Sequence, residues 1–351
     1  MLLGHSKKET IMTETITQTV VATETEANDK VQEFVTKHRR NTFFNEKNIG
    51  MFKVKSAYKT LTDAAQQKDP IKLYDELWYE EELCCLFADS NVGKSILAVQ
   101  IANEVAKTQK VLYFDFELSD KQFQRRYQDD EVKTLYKFPT NLYRVCMNHL
   151  RVYCKADELA DKIMEDIEKC ISQTDAKAII IDNLTWIVSN GRSVQIASEL
   201  MKRLVALKRK KNLSMLILAH TTKRNMSKPI TQNDLGGSKM IFNFLDSAFS
   251  IGISAKDPNV RFIKQVKVRS SDFKYNESNV MLCEIEKKDS FLQFVTVGYD
   301  EESEHLKKRK DDDKQSIIAQ IKLMQAEGKS IRAIANELGM SHATVARWAK
   351  K

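Results

Sequence analysis

The sequence predicts an α/β fold with a mostly parallel sheet, antiparallel strands towards the C-terminal end of that sheet, and a small all-α module after it. Two observations predict the sheet. Short apolar runs alternate with amphipathic stretches through the middle of the chain, which is typical of parallel strands joined by right-handed helical crossovers. Several β-rich segments then follow one another without helices between them. Helix and turn signals at the end of the chain predict the all-α module.

Composition indicates a globular protein of about two domains. The chain has 351 residues, 42% of them hydrophobic, and its 10 glycines and 4 prolines are too few for a sandwich of tight turns. Its 6 cysteines contain no CxxC pair, which indicates reduced thiols in a cytoplasmic protein. No apolar run reaches about 18 residues, and MLLGHSKKETIM lacks the apolar core of a secretory signal. We therefore expect no membrane partner.

Positive charge is concentrated at the C-terminal end. The net charge is +8; residues 306–351 hold 11 Lys plus Arg and 5 Asp plus Glu, a net +6, which leaves +2 for the other 305 residues. A basic end on a nearly neutral body favours a polyanionic partner such as DNA. A solvated basic tail would explain the charge alone equally well.

Composition shifts predict five segments. They are a flexible N-terminal arm over 1–48, a helical lead-in over 49–80, the α/β core over 81–304, a charged linker over 305–314 and a DNA-binding helical module over 315–351. Within the core we predict strands at 83–87, 111–116, 178–181, 215–219, 248–254, 260–269, 280–286 and 291–297. Helices are predicted at 95–106 and 158–172.

The strongest local signal is ADSNVGKS, which lies between an apolar strand and a helix. Its residues are Ala88, Asp89, Ser90, Asn91, Val92, Gly93, Lys94 and Ser95. The pattern predicts a phosphate-binding loop with alanine in place of its first glycine, in which backbone N–H groups surround a β-phosphate. Lys94 would bridge the β- and γ-phosphates and Ser95 would hold Mg²⁺. The alternative is a strand, loop and helix without a ligand.

Carboxylates follow two of the predicted strands. Asp182 ends the strand in KAIIIDN, where a carboxylate can hold Mg²⁺ opposite the phosphate loop. Asp115 and Glu117 lie at the end of VLYFDFELSD, where a carboxylate can activate water. Glu117 is the predicted catalytic base, and a capping or supporting role is the alternative for Asp115.

A histidine ends the strand in SMLILAHTTKRN. His220 can touch a γ-phosphate there and report its loss to the polar loop of Lys223, Arg224 and Lys228. A histidine buried in the core is the alternative.

This order of elements resembles the RecA-like P-loop ATPases, and especially the RepA-like branch of hexameric replicative ATPases, over about residues 75–300. The resemblance implies ATP and Mg²⁺ as ligands, Glu117 as the residue that polarises water, His220 as the sensor, and a ring-like homo-oligomer such as a hexamer. It also implies DNA contacts from the loops around Arg192 and Lys223–Lys228. Lys267 and Arg269 are similar to a Lys-x-Arg pair that reaches a neighbour's phosphates in trans; an exposed strand face is the alternative.

The C-terminal module resembles the resolvase-type helix-turn-helix, with the IA-x-x-LG-x-S-x-x-TV core. Gly339 permits the turn, and Ser341 caps the last helix. Entry of that helix into the major groove would bring DNA against its first turn and exposed face, that is, Ser341, His342, Thr344, Arg347 and Lys350. A module for protein contact is the alternative.

Together these signals favour an ATPase that acts on DNA as a helicase or remodelling factor in replication, mobilisation or transposition of a mobile element. The first alternative is a regulator whose DNA binding is switched by ATP, with little or no motor activity. A further alternative is a RecA-like fold that acts as a protein kinase or in a clock-like assembly. The sequence shows no dedicated acceptor site for such a role.

Overall fold

A computed structural model describes residues 46–148, 158–184, 193–236, 239–307 and 310–350. The chain divides into two compact units, Met1–Asp69 and Pro70–Lys351. Residues 1–45 of the predicted arm lie outside the described residues.

The first unit contains a hairpin and one helix. Strands β1 (Lys47–Ile49) and β2 (Phe52–Val54) pair antiparallel, and helix α1 (Ala57–Ala64) follows, with Ser56 as its N-cap. The prediction of a helical lead-in over 49–80 was therefore wrong outside α1. The strands are only three residues long and exposed at every residue, so they are too short for an apolar alternation that would identify them.

The second unit contains a large sheet. Its strands are β5 (Leu83–Ala88), β6 (Val111–Asp115), β7 (Leu142–Cys146), β8 (Ala178–Asp182), β9 (Ser214–His220), β10 (Ser247–Ile253), β11 (Val260–Lys267), β12 (Val280–Lys288) and β13 (Phe291–Asp300). A separate hairpin of β3 (Lys72–Tyr74) and β4 (Trp78–Tyr79) precedes it. Among the described strands the order is β13-β12-β11-β10-β5-β9-β8-β6-β7. The strands from β10 to β7 in this order are parallel, and β11 to β13 are antiparallel.

Helices cover both faces of this sheet. In the core they are α2 (Lys94–Val105), α3 (Asp120–Arg126), α4 (Leu159–Thr174), α5 (Ser193–Lys211) and α6 (Lys239–Phe244). Alternate residues of β5 pack into different clusters: Leu83, Cys85 and Phe87 lie with residues of α4 and α5, whereas Cys84, Leu86 and Ala88 lie with residues of α2. Because β5 is buried on both faces, its sequence is continuously apolar, as parallel strands require.

The predicted strands of the core and both predicted helices are confirmed within one or two residues at most ends. Strand β7 and helix α5 were missed. Strand β7 lies at the sheet edge and is only partly buried, so its sequence LYRVC mixes polar and apolar residues. None of the helices in the described residues is both long enough and apolar enough to cross a bilayer.

Three helices form the C-terminal module: α7 (Lys310–Ala326), α8 (Ile331–Glu337) and α9 (His342–Trp348). They enclose their own cluster of Ile321, Ile334, Ala335 and Val345. The predicted linker over 305–314 was wrong at both ends, because α7 begins at Lys310 and His305 is buried in a 3₁₀ turn. Acidic residues favour the first turn of a helix, so the sequence run KDDDK favours a helix as readily as a linker.

Candidate functional site

The ADSNVGKS loop joins β5 to α2 at the carboxyl edge of the sheet. Asn91 has φ +63° and Gly93 has φ +106°, both in the left-handed region. A Cβ on Gly93 would lie 2.8 Å from Ile285 Cδ1 and 2.8 Å from Phe294 Cζ. Both the backbone angle and the close packing therefore require glycine at this position.

Ala88, where phosphate loops more often have glycine, belongs to the strand. It is fully buried and pairs with His220 on β9 and with Ile251 on β10. The turn of the loop begins after it, so the alanine leaves the loop's backbone conformation intact.

Lys94 begins α2 and is buried, with 7% of the residue exposed. Its ammonium donates to the carbonyl oxygens of Ala88 at 2.9 Å and Asp89 at 2.8 Å. Burial lowers the pKa of Lys94, and the carboxylates of Asp182 and Glu117 oppose this shift. The Lys94 ammonium is therefore held beside the phosphate loop, where phosphate oxygens would bind.

Asp182 ends β8 and is almost fully buried. The Tyr113 hydroxyl donates to its carboxylate at 2.6 Å. Burial raises the pKa of Asp182 to about 6, and hydrogen bonds with Ser95 and Tyr113 oppose the shift. A carboxylate next to the first-turn hydroxyl of α2 is the oxygen-rich donor set that Mg²⁺ prefers, so these residues fit the ion.

Asp115 supports the loop after β6. Its carboxylate accepts from the backbone N–H groups of Glu117 at 3.1 Å and Leu118 at 2.9 Å and pairs with Arg144 at 2.9 Å. The capping alternative thus describes Asp115. Its neighbour Glu117 lines the cavity at the phosphate loop.

Asn183 was missed in the sequence, although it directly follows Asp182 in KAIIIDN. Its side-chain nitrogen contacts Glu117 Oε1 and lies 3.1 Å from His220 Nε2. Burial and the charge of Lys94 lower the pKa of His220, and Glu117 opposes them. His220 is therefore not an isolated core histidine, because it joins Lys94, Asn183 and Glu117 in one cluster.

A cavity of about 930 Å³ opens over this cluster. Its size suits a nucleotide. The part of its wall that sequence reasoning missed consists of Arg126, Asp257, Asn259, Arg261, Glu284 and Ile285. Arg126 Nη1 and Arg261 Nε are buried and have no hydrogen-bond partner in the described part of the chain. The wall residues come from α3, the β10–β11 turn and antiparallel strands, and no sequence spacing connects these segments.

Lys267 and Arg269 do not line this cavity. The Lys267 ammonium donates to the Phe242 carbonyl at 2.8 Å, and Arg269 pairs with Asp246 at 3.0 Å. Their action in trans stays a prediction.

The loop after His220 connects two parts of the molecule. Thr221 Oγ1 donates to Asp89 in the phosphate loop, and the Lys307 N–H donates to the Met226 carbonyl at 3.0 Å. The Ile230 N–H donates to Glu302 Oε1 at 2.6 Å. The loop therefore runs from the phosphate loop to the residues that precede the helical module.

Of the predicted DNA contacts, Arg192 lies outside the described residues. Lys223 and Lys228 are exposed, and Arg224 is half-buried, with a long contact of 3.5 Å from Nη2 to the Lys228 carbonyl. Their contact with DNA stays a prediction.

In the C-terminal module, Ser341 Oγ accepts from the Thr344 N–H at 3.3 Å and so caps α9. The exposed residues of this segment are Ser341, His342, Ala343, Arg347 and Lys350, while Thr344 is half-buried. Gly339 has φ +61° in the preceding turn, which explains glycine at this position.

Comparison with known proteins finds a similarity to one protein family. No curated protein matches the chain significantly. A protein-family model described as an AAA domain matches residues 52–226, a range that holds the phosphate loop, Glu117, Asp182 and His220 and ends before Lys267 and the C-terminal helices. The sheet order and this match together support a nucleotide-binding, P-loop ATPase in these residues.

Proposed function

We propose that this protein is a DNA-binding ATPase of the RecA/RepA-like type, in which ATP hydrolysis is coupled to DNA. The hydrogen bond from Lys307 to Met226 carries the proposal. It links the loop that leaves His220 to Lys307, three positions before α7. A change at the terminal phosphate therefore has a short covalent and hydrogen-bonded route towards the basic helical module.

Binding of ATP rests on the phosphate loop and the cavity above it. Lys94 exchanges its bonds with the Ala88 and Asp89 carbonyls for phosphate oxygens, and the backbone N–H groups of the loop surround the β-phosphate. Ser95 and Asp182 would hold Mg²⁺, which would neutralise charge on the phosphates. Arg126, which also lines the cavity, supplies a buried Nη1 donor that has no hydrogen-bond partner among the described residues.

Hydrolysis rests on Glu117 and His220. Glu117 accepts a proton from the attacking water, and Asp115 holds the backbone of the Glu117 loop in place. His220 contacts the terminal phosphate. Loss of that phosphate releases the loop from Thr221 to Ile230.

DNA binding rests on the helical module and its charge. Helix α9 presents His342 and Arg347 to solvent and buries Val345, and the exposed Lys350 follows it, as a helix that reads the major groove would require. In the ring-like homo-oligomer that we propose, Lys267 and Arg269 leave their contacts in the single chain and complete the site of a neighbour.

The test is ATP hydrolysis at several protein concentrations, without DNA, with single strands and with duplex. A rate per subunit that rises with concentration and with DNA supports the proposal. A slow hydrolysis rate that does not change when DNA is added, together with tight duplex binding, favours the alternative of an ATP-switched regulator. The absence of both hydrolysis and DNA binding rejects both.

The role of the module is tested with single substitutions and the salt dependence of DNA affinity. We expect Arg347→Ala to weaken duplex binding by about 1–3 kcal/mol if the side chain reaches a base. Arg332→Ala, which removes an exposed arginine of α8 in the same module, is the matched control. Equal losses for both variants would mean that α9 has no special role.

A further inference from the structure

The loop after His220 enters the core at one point. Of residues 221–234, all of which the structure describes, Ile230 alone is buried, with 1% of the residue exposed. Its side chain belongs to the apolar cluster that includes residues of α4 and α5. The backbone N–H and carbonyl of such a residue need partners, because an unpaired backbone group that is shielded from water costs about as much as a lost hydrogen bond.

A buried ion pair supplies both partners. The Ile230 N–H donates to Glu302 Oε1 at 2.6 Å, and the Lys264 ammonium donates to the Ile230 carbonyl at 3.1 Å. Lys264 Nζ also lies 2.5 Å from Glu302 Oε2, and the two residues are 7% and 1% exposed. One ion pair therefore encloses both backbone polar groups of a single residue.

This arrangement depends on which charge occupies which position. A carboxylate only accepts hydrogen bonds and an ammonium only donates them, so Glu302 matches the N–H and Lys264 matches the carbonyl. The reversed pair would place a donor against the N–H and an acceptor against the carbonyl. A contribution to stability does not by itself explain a buried ion pair, since well-packed apolar residues are often at least as stable in its place. The match to the backbone of Ile230 gives these charges a specific role.

The base of the loop is held separately. The Gly236 N–H donates to the His220 carbonyl at 2.8 Å, and a Cβ on Gly236 would lie 2.5 Å from that oxygen. The loop is thus fixed at His220 and again at Ile230. The stretch between these two points, 222–229, contains the predicted DNA contacts of the loop.

We propose that Lys264 and Glu302 are positioning residues that hold Ile230 as the fixed far end of the loop after His220. A change that starts at His220 is then confined to 222–229 and does not continue along the chain beyond Ile230. The inference deepens the proposed function: its consequence for turnover rests on ATP hydrolysis, whereas the anchor itself does not.

Hydrogen exchange of the Ile230 amide tests the anchor directly. We expect Lys264→Met and Glu302→Gln each to raise its exchange rate by at least about 10-fold, because a hydrogen bond with a charged partner is lost or weakened. The double variant with Lys264→Glu and Glu302→Lys retains an ion pair but reverses its polarity, and we expect it to exchange at least as fast as the single variants. Glu304→Gln, which breaks an exposed contact of 2.9 Å with Lys256 in the same 3₁₀ turn, is the control.

Three outcomes overturn the inference. Slow exchange at Ile230 in the reversed pair would mean that the two residues act only as an ion pair. Unchanged exchange at Ile230 in both single variants would mean that they do not hold this residue. The Leu216 amide, in the central strand β9, reports global unfolding, so equal acceleration at Leu216 and Ile230 would mean that the variants only destabilise the fold.

Kinetics provide a second readout. We expect kcat to fall about 10- to 100-fold in both single variants, because a loop released at its far end moves His220 away from the terminal phosphate. Affinity for a non-hydrolysable ATP analogue should be retained, since Lys94 and the phosphate loop are unchanged. An unchanged kcat in a protein that hydrolyses ATP overturns the positioning role. Hydrogen exchange requires no turnover, so a protein that does not hydrolyse ATP rejects the proposed function while the anchor is still judged by itself.

Discussion

The ammonium nitrogen of Lys94 lies 3.2 Å from Nδ1 of His220, so a fixed positive charge sits beside a group that can acquire one. Burial is the larger cause that lowers the pKa of His220, and the charge of Lys94 is the second. We therefore expect Lys94→Met to raise the pKa of His220, as measured by NMR titration of the ring. Lys107→Met, which removes an exposed lysine just beyond α2, is the control. A pKa that stays the same or falls would contradict the electrostatic role of Lys94.

Gly93→Ala should abolish the function of the phosphate loop. The added Cβ meets Ile285 and Phe294 at 2.8 Å and stands on a backbone with φ +106°, which costs about 1–3 kcal/mol for the backbone alone. Urea unfolding measures the loss of stability, and ATP titration measures the loss of ATP affinity. The matched control is Gly298→Ala, where a Cβ meets nothing within 4 Å. Equal stability and ATP affinity in both variants would reject the requirement for glycine.

Glu117→Gln should retain ATP binding and lose at least about 100-fold in hydrolysis, because a general base contributes about 10²–10⁴-fold. Single-turnover assays separate the chemical step from binding. The control is Glu104→Gln, which changes an exposed carboxylate on α2 that pairs with Lys107. If Glu117→Gln hydrolyses ATP normally while Lys94→Ala does not, the water is activated by another group.

Asp246 should make the stability of the core depend on pH. Burial alone would raise the pKa of Asp246, but hydrogen bonds from the Leu83 N–H and Lys208 outweigh it, so the pKa falls below the ordinary 3.8. The stabilisation is therefore complete above that value and lost as pH falls through the lower value of the folded protein. Asp246→Asn should reduce the free energy of unfolding by about 1–3 kcal/mol at neutral pH and by less in acid. Urea unfolding at both pH values measures this, with the exposed Asp272→Asn as control.

Mixed oligomers test action in trans. A chain with Lys94→Ala cannot use its own phosphate loop but still has Lys267 and Arg269, whereas a chain with Lys267→Ala and Arg269→Ala has an intact loop. We expect each variant alone to hydrolyse ATP slowly and the mixture to recover part of the rate, as measured at increasing protein concentration. A mixture with only the average of the two rates would mean that the pair acts within its own chain or not at all.

The sequence predicted the parts of the site that lie on continuous segments. Lys94, Asp182 and His220 each end or follow an apolar strand, and the parallel topology alone brings such strand ends to one edge. Asn183 was missed because only the paired positions of β6, β8 and β9 show that it lies between Glu117 and His220. Nothing in its sequence neighbourhood distinguishes it from a polar residue at the start of a loop.

The fold was predictable where burial was continuous. Strands β5 and β8 are buried on both faces and read as unbroken apolar runs, whereas the edge strand β7 and the exposed hairpin of β1 and β2 do not. The part of the cavity wall that contains Arg126 and Arg261 could not be predicted for a different reason. Arg126 and Arg261 are 135 positions apart and face one cavity only because the antiparallel strands fold beside α2.

The hydrogen bond between Lys307 and Met226 determines at which residue the chain can be truncated without disturbing the loop after His220. A chain that ends at residue 306 loses a contact of the loop after His220, so its altered ATPase rate would combine two separate effects. A chain that ends after residue 309 keeps this contact and removes only the helices. The same junction suits module exchange: another domain joined there would inherit the link to the nucleotide site. If the DNA-binding function that we propose holds, a foreign DNA-reading domain at this junction redirects the protein to a new sequence without redesign of its core.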